Sequence, residues 1–408
     1  MSNNFKKRSI RKEQISETDN GIKVSELLTL LENNGLTDEV FKLLDVDSIK
    51  DEFIEIRGAK AIVDIQKSIN SRYKKIDLVS SLNDVSLYNE DDFTINFKKT
   101  KNNLYLNSLK KKTISTIPIY SASRDFFSGL FTMDKYANKL ILNGHKDIVK
   151  ANLKLLKKTG VKDRKYRVLH DLSEDLLYLR GIISLKNYHN YDNNLCVVLG
   201  LLTLHNEMKI NNASYSLNRC EYNESFIKMF FESSDVIVLD NIGHVKNLIE
   251  ISNDEIKREA FKFLGVCSIV FENEEKELNE IILSSGEVKS TILSIKHNQV
   301  PKTAIKELSN MSEVDEIHLS MFNEIESISK IKNPEQIKFL IKKNIENAKR
   351  DEIRKYKIEV QELIKASRTS NVIQLLSLFK KIELIANEDI EATEYLRFVI
   401  YEALINRK

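Results

Sequence analysis

The chain has little of what marks catalysis or export: no Trp, 3 Pro, 3 Cys and 11 Gly in 408 residues. Cys196, Cys220 and Cys267 are odd in number and form no CxxC pair. Neither a disulfide framework nor a cysteine zinc site is expected, and they read as small buried residues in a reducing, cytoplasmic setting. So few glycines leave little for phosphate-cradling loops. No GxxxxGK[ST], GxGxxG or GxSxG occurs, which disfavours ATP hydrolysis, dinucleotide redox chemistry and the common serine-hydrolase layout. His145, His170, His189, His205, His244, His297 and His318 are scattered without HxH or HExxH spacing, so no metal and no cofactor are expected. No apolar run reaches the roughly 18 residues of a bilayer span. The opening residues, through Lys6, Lys7 and Arg8, lack the apolar core of a signal peptide.

Charge is abundant but balanced, with 63 Lys plus Arg against 60 Asp plus Glu and a net +3. An argument for a polyanionic partner must therefore rest on where the charges lie. An apolar share of 42% can bury a real core, and the length predicts two or three structural units.

Residues 1–21 hold Lys6, Lys7, Arg8, Arg11 and Lys12 and few apolar residues, which predicts a flexible basic arm. Residues 22–52 read as helices: Ser25 opens one that carries Leu27, Leu28, Leu30 and Leu31 and stops at Asn33-Asn34-Gly35, and 38–44 forms another. From 53 to 300 the pattern is mixed. Strands are predicted at 94–97, 113–120, 139–142 and 235–239, with a hairpin of 281–283 and 291–295 about Ser285-Gly286. Helices are predicted at 147–158, 195–210, 225–231 and 254–264. From 301 to 408 helical periodicity dominates: a long helix over 335–365, then 371–386 and 390–405. The irregular order predicts an α+β fold, with a mixed central domain followed by an all-helical C-terminal domain.

Two segments concentrate positive charge. Lys98, Lys99 and Lys101, then Lys110, Lys111 and Lys112, bracket Tyr105. The second segment carries Lys146, Lys150, Lys154, Lys157, Lys158, Lys162, Arg164, Lys165 and Arg167 against only Asp147 and Asp163. Positions 146, 150, 154 and 158 share one helical face, where like charges repel unless a polyanion neutralises them. A phosphate backbone would do so with release of counterions. The same rows are also compatible with a solvated face in a lysine-rich chain. Tyr105, Tyr120 and Tyr166 stand near these charges as candidates for base stacking or as half-buried sheet residues. Arg164 and His170 have the loose spacing of an Arg…His pair in certain helical ribonucleases, with the histidine as acid/base and the arginine on phosphate. Asp91-Asp92, Asp240, Asp254 and Glu255 would make a nuclease metal site only if folding converged them.

The segment from Tyr178 through Arg180, Ser184, Tyr188 and His189 to Asn193 resembles part of an uncharacterised family of phage- and plasmid-encoded proteins. Ile251 to Glu255, Gly265 to Ile269 and Ser294 to Asn298 follow in that family's order, so the resemblance spans about 120 residues, under a third of the chain. Asp254 replaces a serine of the pattern, and the glycine that should follow Glu255 is missing. The resemblance implies a mobile-element protein linked to DNA replication or recombination. It carries over no catalytic residue.

The leading expectation is a non-enzymatic nucleic-acid-binding protein of a phage, prophage or plasmid, contacting DNA before RNA through the two basic segments. Its C-terminal helices would serve self-association or a protein partner, and no membrane is involved. The alternatives are a protein-interaction factor acting through the 335–365 helix, and a metal-dependent or helical ribonuclease.

Overall fold

The computed structural model describes residues 5–32, 34–88, 93–98, 104–109, 111, 113–159, 163–185, 188–256, 261–284, 291–300, 302–303 and 314–407. Lys99, Lys101, Lys110, Lys112, Lys162, Asp91-Asp92 and Ser285-Gly286 lie outside them. The fold is α+β. Its first described residues are not a loose arm. Arg8–Arg11 (β1) pairs antiparallel with a strand of the large sheet, and Phe5 meets Tyr178 edge-on at 4.7 Å between centroids. Phe5, Ile10 and Ile15 are the apolar anchors that offset the ordering entropy; they are too sparse to stand out among the basic residues. Then come β2 (Ile22–Lys23), α1 (Val24–Leu28), α2 (Thr37–Leu43), α3 (Val46–Ile49), β3 (Phe53–Ile54) and α4 (Ala59–Arg72). Leu27, Leu28, Leu30 and Leu31 are buried together, as their spacing predicts.

A barrel follows. β4 (Tyr73–Ser80) turns through residues 81–84 into β5 (Val85–Tyr88), then β6 (Thr94–Lys98), α5 (Leu104–Ser108) and β7 (Thr113–Pro118). After α6 (Ala122–Arg124), α7 (Asp134–Leu142) and α8 (Lys146–Leu156), β8 (Arg164–Asp171) and β9 (Leu176–Ile183) complete it. The strand order is β4-β8-β9-β7-β6-β5, and every neighbouring pair is antiparallel except β7 and β9. With β4 and β5 taken as halves of one bent strand, the order becomes 1-2-3-5-4-1. Strands 3 and 5 are then parallel, and helices lie between 3 and 4. That is the connectivity of an OB-fold barrel. Every strand contributes to its core, among them Ile76, Val85, Phe97, Ile114, Val168 and Leu179. Phe97 and Tyr166 meet across the interior at 4.8 Å between centroids. Residues 139–142 end α7 instead of forming a strand, because Ala137, Leu140 and Ile141 share the stripe that covers the barrel core.

The remainder is built on a seven-stranded antiparallel sheet. α9 (Asn193–Asn211) precedes β10 (Tyr215–Tyr222), β11 (Phe226–Leu239), β12 (Gly243–Asp254), β13 (Phe261–Glu272), β14 (Leu278–Leu283) and β15 (Thr291–Ile295). Residues 226–231, 254 and 261–264 belong to strands, not helices. Ile227, Met229 and Phe231 face the α9 side while Phe230 is buried on the other, so no polar alternation marks the strand. β14 and β15 both pair with β13, at its two ends, and do not form the predicted hairpin.

Among the described residues six helices from 314 onward close the fold: α10 (Val314–Ser329), α11 (Pro334–Asn347), α12 (Asp351–Arg354), α13 (Lys357–Ala366), α14 (Val372–Ile385) and α15 (Ile390–Leu404). The helix expected over 335–365 is therefore three pieces, broken where Ala348 turns to an extended backbone. The boundary expected at 301 does not separate two cores, since Ile325, Ile341 and Phe379 share one with Val245, Cys267 and Leu283. α10 presses onto the sheet at Gly265, where a Cβ would fall 2.6 Å from Ile317. On the other face, Arg397 of α15 lies 5.6 Å from the Phe230 ring and pairs with Glu221 at 2.7 Å. No helix among the described residues is long and apolar enough to cross a membrane.

Candidate nucleic-acid interface

On β6, Ile95 and Phe97 enter the barrel core, so the period of two turns Lys98 outward. It is 73% exposed and 3.5 Å from Asp84. α8 docks through Val149 and Leu153, which leaves Lys150 and Lys154 exposed, with Lys158 exposed just beyond. These three form no ion pair among the described residues. Lys146 is half-buried. Lys157, one turn after Leu153, bends back to the barrel and donates to the Val85 carbonyl. Burial lowers its pKa, and the nearby Lys98 charge lowers it further. The two basic segments thus meet at Lys98 and Lys157.

The other predicted residues divide. Lys111 grips the β8–β9 turn, 2.9 Å from the Asp175 carboxylate. Arg164 is half-buried, and Lys165 pairs with Asp77 at 3.6 Å. Arg167 does not belong to the interface. Alternation along β8 sends Tyr166 into the barrel and Arg167 toward the large sheet, where it is 2% exposed. There its guanidinium donates to Asp77 at 3.2 Å and Tyr188 at 2.9 Å. Tyr166 is sealed in the barrel, and Tyr120 donates to Glu224 at 2.5 Å, so neither is placed to stack a base. Tyr105 stays half-buried near the surface.

His170 does not act with Arg164, since the two lie toward opposite ends of β8. It joins a different set. Its Nε2 is 2.9 Å from Asp175 Oδ1, and its Nδ1 is 2.6 Å from Tyr105 Oη. A carboxylate only accepts, so in the neutral ring Nε2 carries the proton and Nδ1 accepts from the tyrosine. Burial, and then the Asp175 charge, raise the Tyr105 pKa. Hydrogen bonds from Lys111 and His170 lower that of Asp175. The Lys74 ammonium stands 5.7 Å from the Tyr105 ring centre. No sequence motif joins these residues. The bracketing of Tyr105 by lysines was the only signal.

Three of the four segments that carry the family resemblance meet at Glu255, at the junction between barrel and large sheet, while Gly265 to Ile269 runs within β13 and pairs with β12. Glu255 is fully buried. It pairs with Arg180 at 2.8 Å and with Lys75, and it accepts from the Asn193 amide at 2.9 Å. Burial would raise its pKa, but the Lys75, Arg180 and Arg167 charges prevail and hold it at about 2. Tyr188 stacks on His297 at 4.6 Å, and burial pushes its pKa up to about 12. Asn253 donates to the Tyr191 carbonyl at 3.2 Å. This centre fastens the barrel to the sheet, and its partners come from too many segments for spacing to reveal.

Among the described residues no group of three or more His, Cys, Asp or Glu is arranged to hold a metal ion. All three cysteines are buried, and burial raises their pKa values, that of Cys267 to about 12. No family model matches the chain, and neither the curated proteins nor the solved structures give a match.

Proposed function

We propose that this protein binds single-stranded nucleic acid, DNA before RNA, on the outer surface of its barrel, as a phage, prophage or plasmid protein in DNA replication, recombination or regulation. The observation that carries the reading is the meeting of Lys98 and Lys157, with Lys150, Lys154 and Lys158 exposed alongside. Barrels of this connectivity present strands 2 and 3 and the adjoining loops to oligonucleotides, and Lys98 stands on strand 2. That step is an analogy of fold, and the lysines supply the chemistry. Fluorescence anisotropy with single-stranded DNA is expected to give micromolar or tighter binding that weakens steeply between roughly 50 and 300 mM salt. Salt-independent binding, or none at low salt, contradicts the reading.

A second reading, docking of a protein partner or a second copy, draws on Phe339 and Ile358, which are 61% and 71% exposed on the C-terminal helices. Stoichiometric capture of one protein, unaffected by nuclease, would favour it.

A further inference from the structure

Outside the lysine surface, the arrangement with most chemical content is the chain Asp175–His170–Tyr105. It is a carboxylate, an imidazole and a hydroxyl in series, linked at 2.9 and 2.6 Å. The carboxylate fixes the imidazole proton on the far nitrogen and leaves the near nitrogen to take a proton from the hydroxyl, the layout of an activated nucleophile. Asp175 achieves this from a strained turn, with φ of 50°, in the left-handed region. Lys111 bonds both the carbonyl and the carboxylate of that residue, each at 2.9 Å. His170 is 5% exposed, whereas Asp175 is 67% exposed at its side chain, so the relay runs from solvent to a sheltered ring. Tyr105 sits in α5, in the β6–β7 connection that begins at Lys98, with Lys74 against its ring.

We propose that Tyr105 is a nucleophile that cleaves a phosphodiester of bound single-stranded DNA, with His170 taking its proton and Asp175 positioning the imidazole. The inference rests on the barrel as the binding surface. Tyr105 Oη attacks phosphorus while its proton passes to His170 Nδ1. A tyrosyl–phosphate bond forms, the bond from phosphorus to the sugar oxygen in line with it breaks, and that oxygen takes a proton from solvent while the imidazolium returns its own to solvent. No oxidant, water or cofactor enters the balance. Lys74, against the Tyr105 ring, and Lys111, on the Asp175 turn, supply positive charge to offset that of the phosphate. DNA is favoured over RNA because RNA carries its own 2′-hydroxyl nucleophile, whereas DNA cleavage without water needs one from the protein.

The test incubates the full chain with a pool of random-sequence single-stranded DNA, labelled at either end in separate reactions. Binding is read by anisotropy, and covalent attachment on a denaturing gel. The wild type is expected to bind and to carry label that survives denaturation from one end only. Tyr105→Phe, which removes only the hydroxyl, is expected to lose the adduct while staying folded and binding within about twofold. His170→Gln is expected to lower the adduct rate at least tenfold with binding retained. Asp175→Asn would slow it less and, acting through His170, shift its pH profile. Binding without an adduct, or an adduct that persists in Tyr105→Phe, overturns this proposal alone. Absence of binding overturns the barrel reading as well. Scission of RNA but not DNA would assign His170 to the 2′-hydroxyl instead and also overturns it.

Discussion

On the barrel, Lys98 is 73% exposed and Lys150, Lys154 and Lys158 face solvent without an ion pair among the described residues. Beneath the large sheet, by contrast, Arg397, Arg219, Glu221 and Glu383 have side chains no more than 7% exposed and are bound to one another. The same residue types serve opposite ends. Buried ions that have lost their water depend on their partners, so removing one strands the rest. Exposed cations are screened by salt and contribute little to stability, which leaves them available to a polyanion. The contrast locates where substitution should change folding and where it should change binding.

The largest effect is expected at the Glu255 junction. Glu255→Ala would leave Arg180 and Lys75 without their carboxylate, while Arg167 keeps Asp77, and should cost ~3–5 kcal/mol by chemical denaturation; a loss below ~1 kcal/mol would break the contrast. The next effect is acid sensitivity. Burial opposes ionisation of Glu255 and Glu383, but the surrounding cations hold both at about 2. Their folded pKa lies below the unfolded one, so their stabilisation is present above the usual glutamate range and lost as pH falls toward 2. Urea midpoints should fall steeply through that window. Third, the triple variant Lys150→Glu, Lys154→Glu, Lys158→Glu should weaken single-stranded DNA binding about tenfold or more at low salt. The slope of log affinity against log salt should shrink by ~0.7 per lost contact, with the denaturation midpoint unmoved. The smallest effect is expected for Lys98→Ala: stability within ~0.5 kcal/mol, since the Asp84 pair is exposed, and a few-fold loss of affinity.

Where one face was buried and the other wet, the pattern in the sequence was legible. Leu27 to Leu31 and the C-terminal helices α14 and α15 follow their periodicity, while α9, buried nearly all round over its first half, was legible as one long apolar run. The first half of β11 read as a helix, because Met229, Phe230 and Phe231 are all buried and carry no alternation, whereas its second half, 235–239, read as the strand it is. The barrel was illegible, since its identity lies in pairing order, above all the parallel β7–β9 step. At the candidate site, the lysine clusters could be located but Arg167 was misplaced. Only strand register shows that it faces the sheet while Lys98 faces solvent. His170 was noticed beside the wrong partner, because Tyr105 and Asp175 reach it through folding.

The measurement that tests the barrel surface most directly is hydrogen–deuterium exchange of the full chain with and without single-stranded DNA at low salt. Protection gained within 94–118 and 146–158, with the C-terminal helices unchanged, is the expected result. Protection confined to 314–407, or none under conditions where DNA is bound, would contradict it.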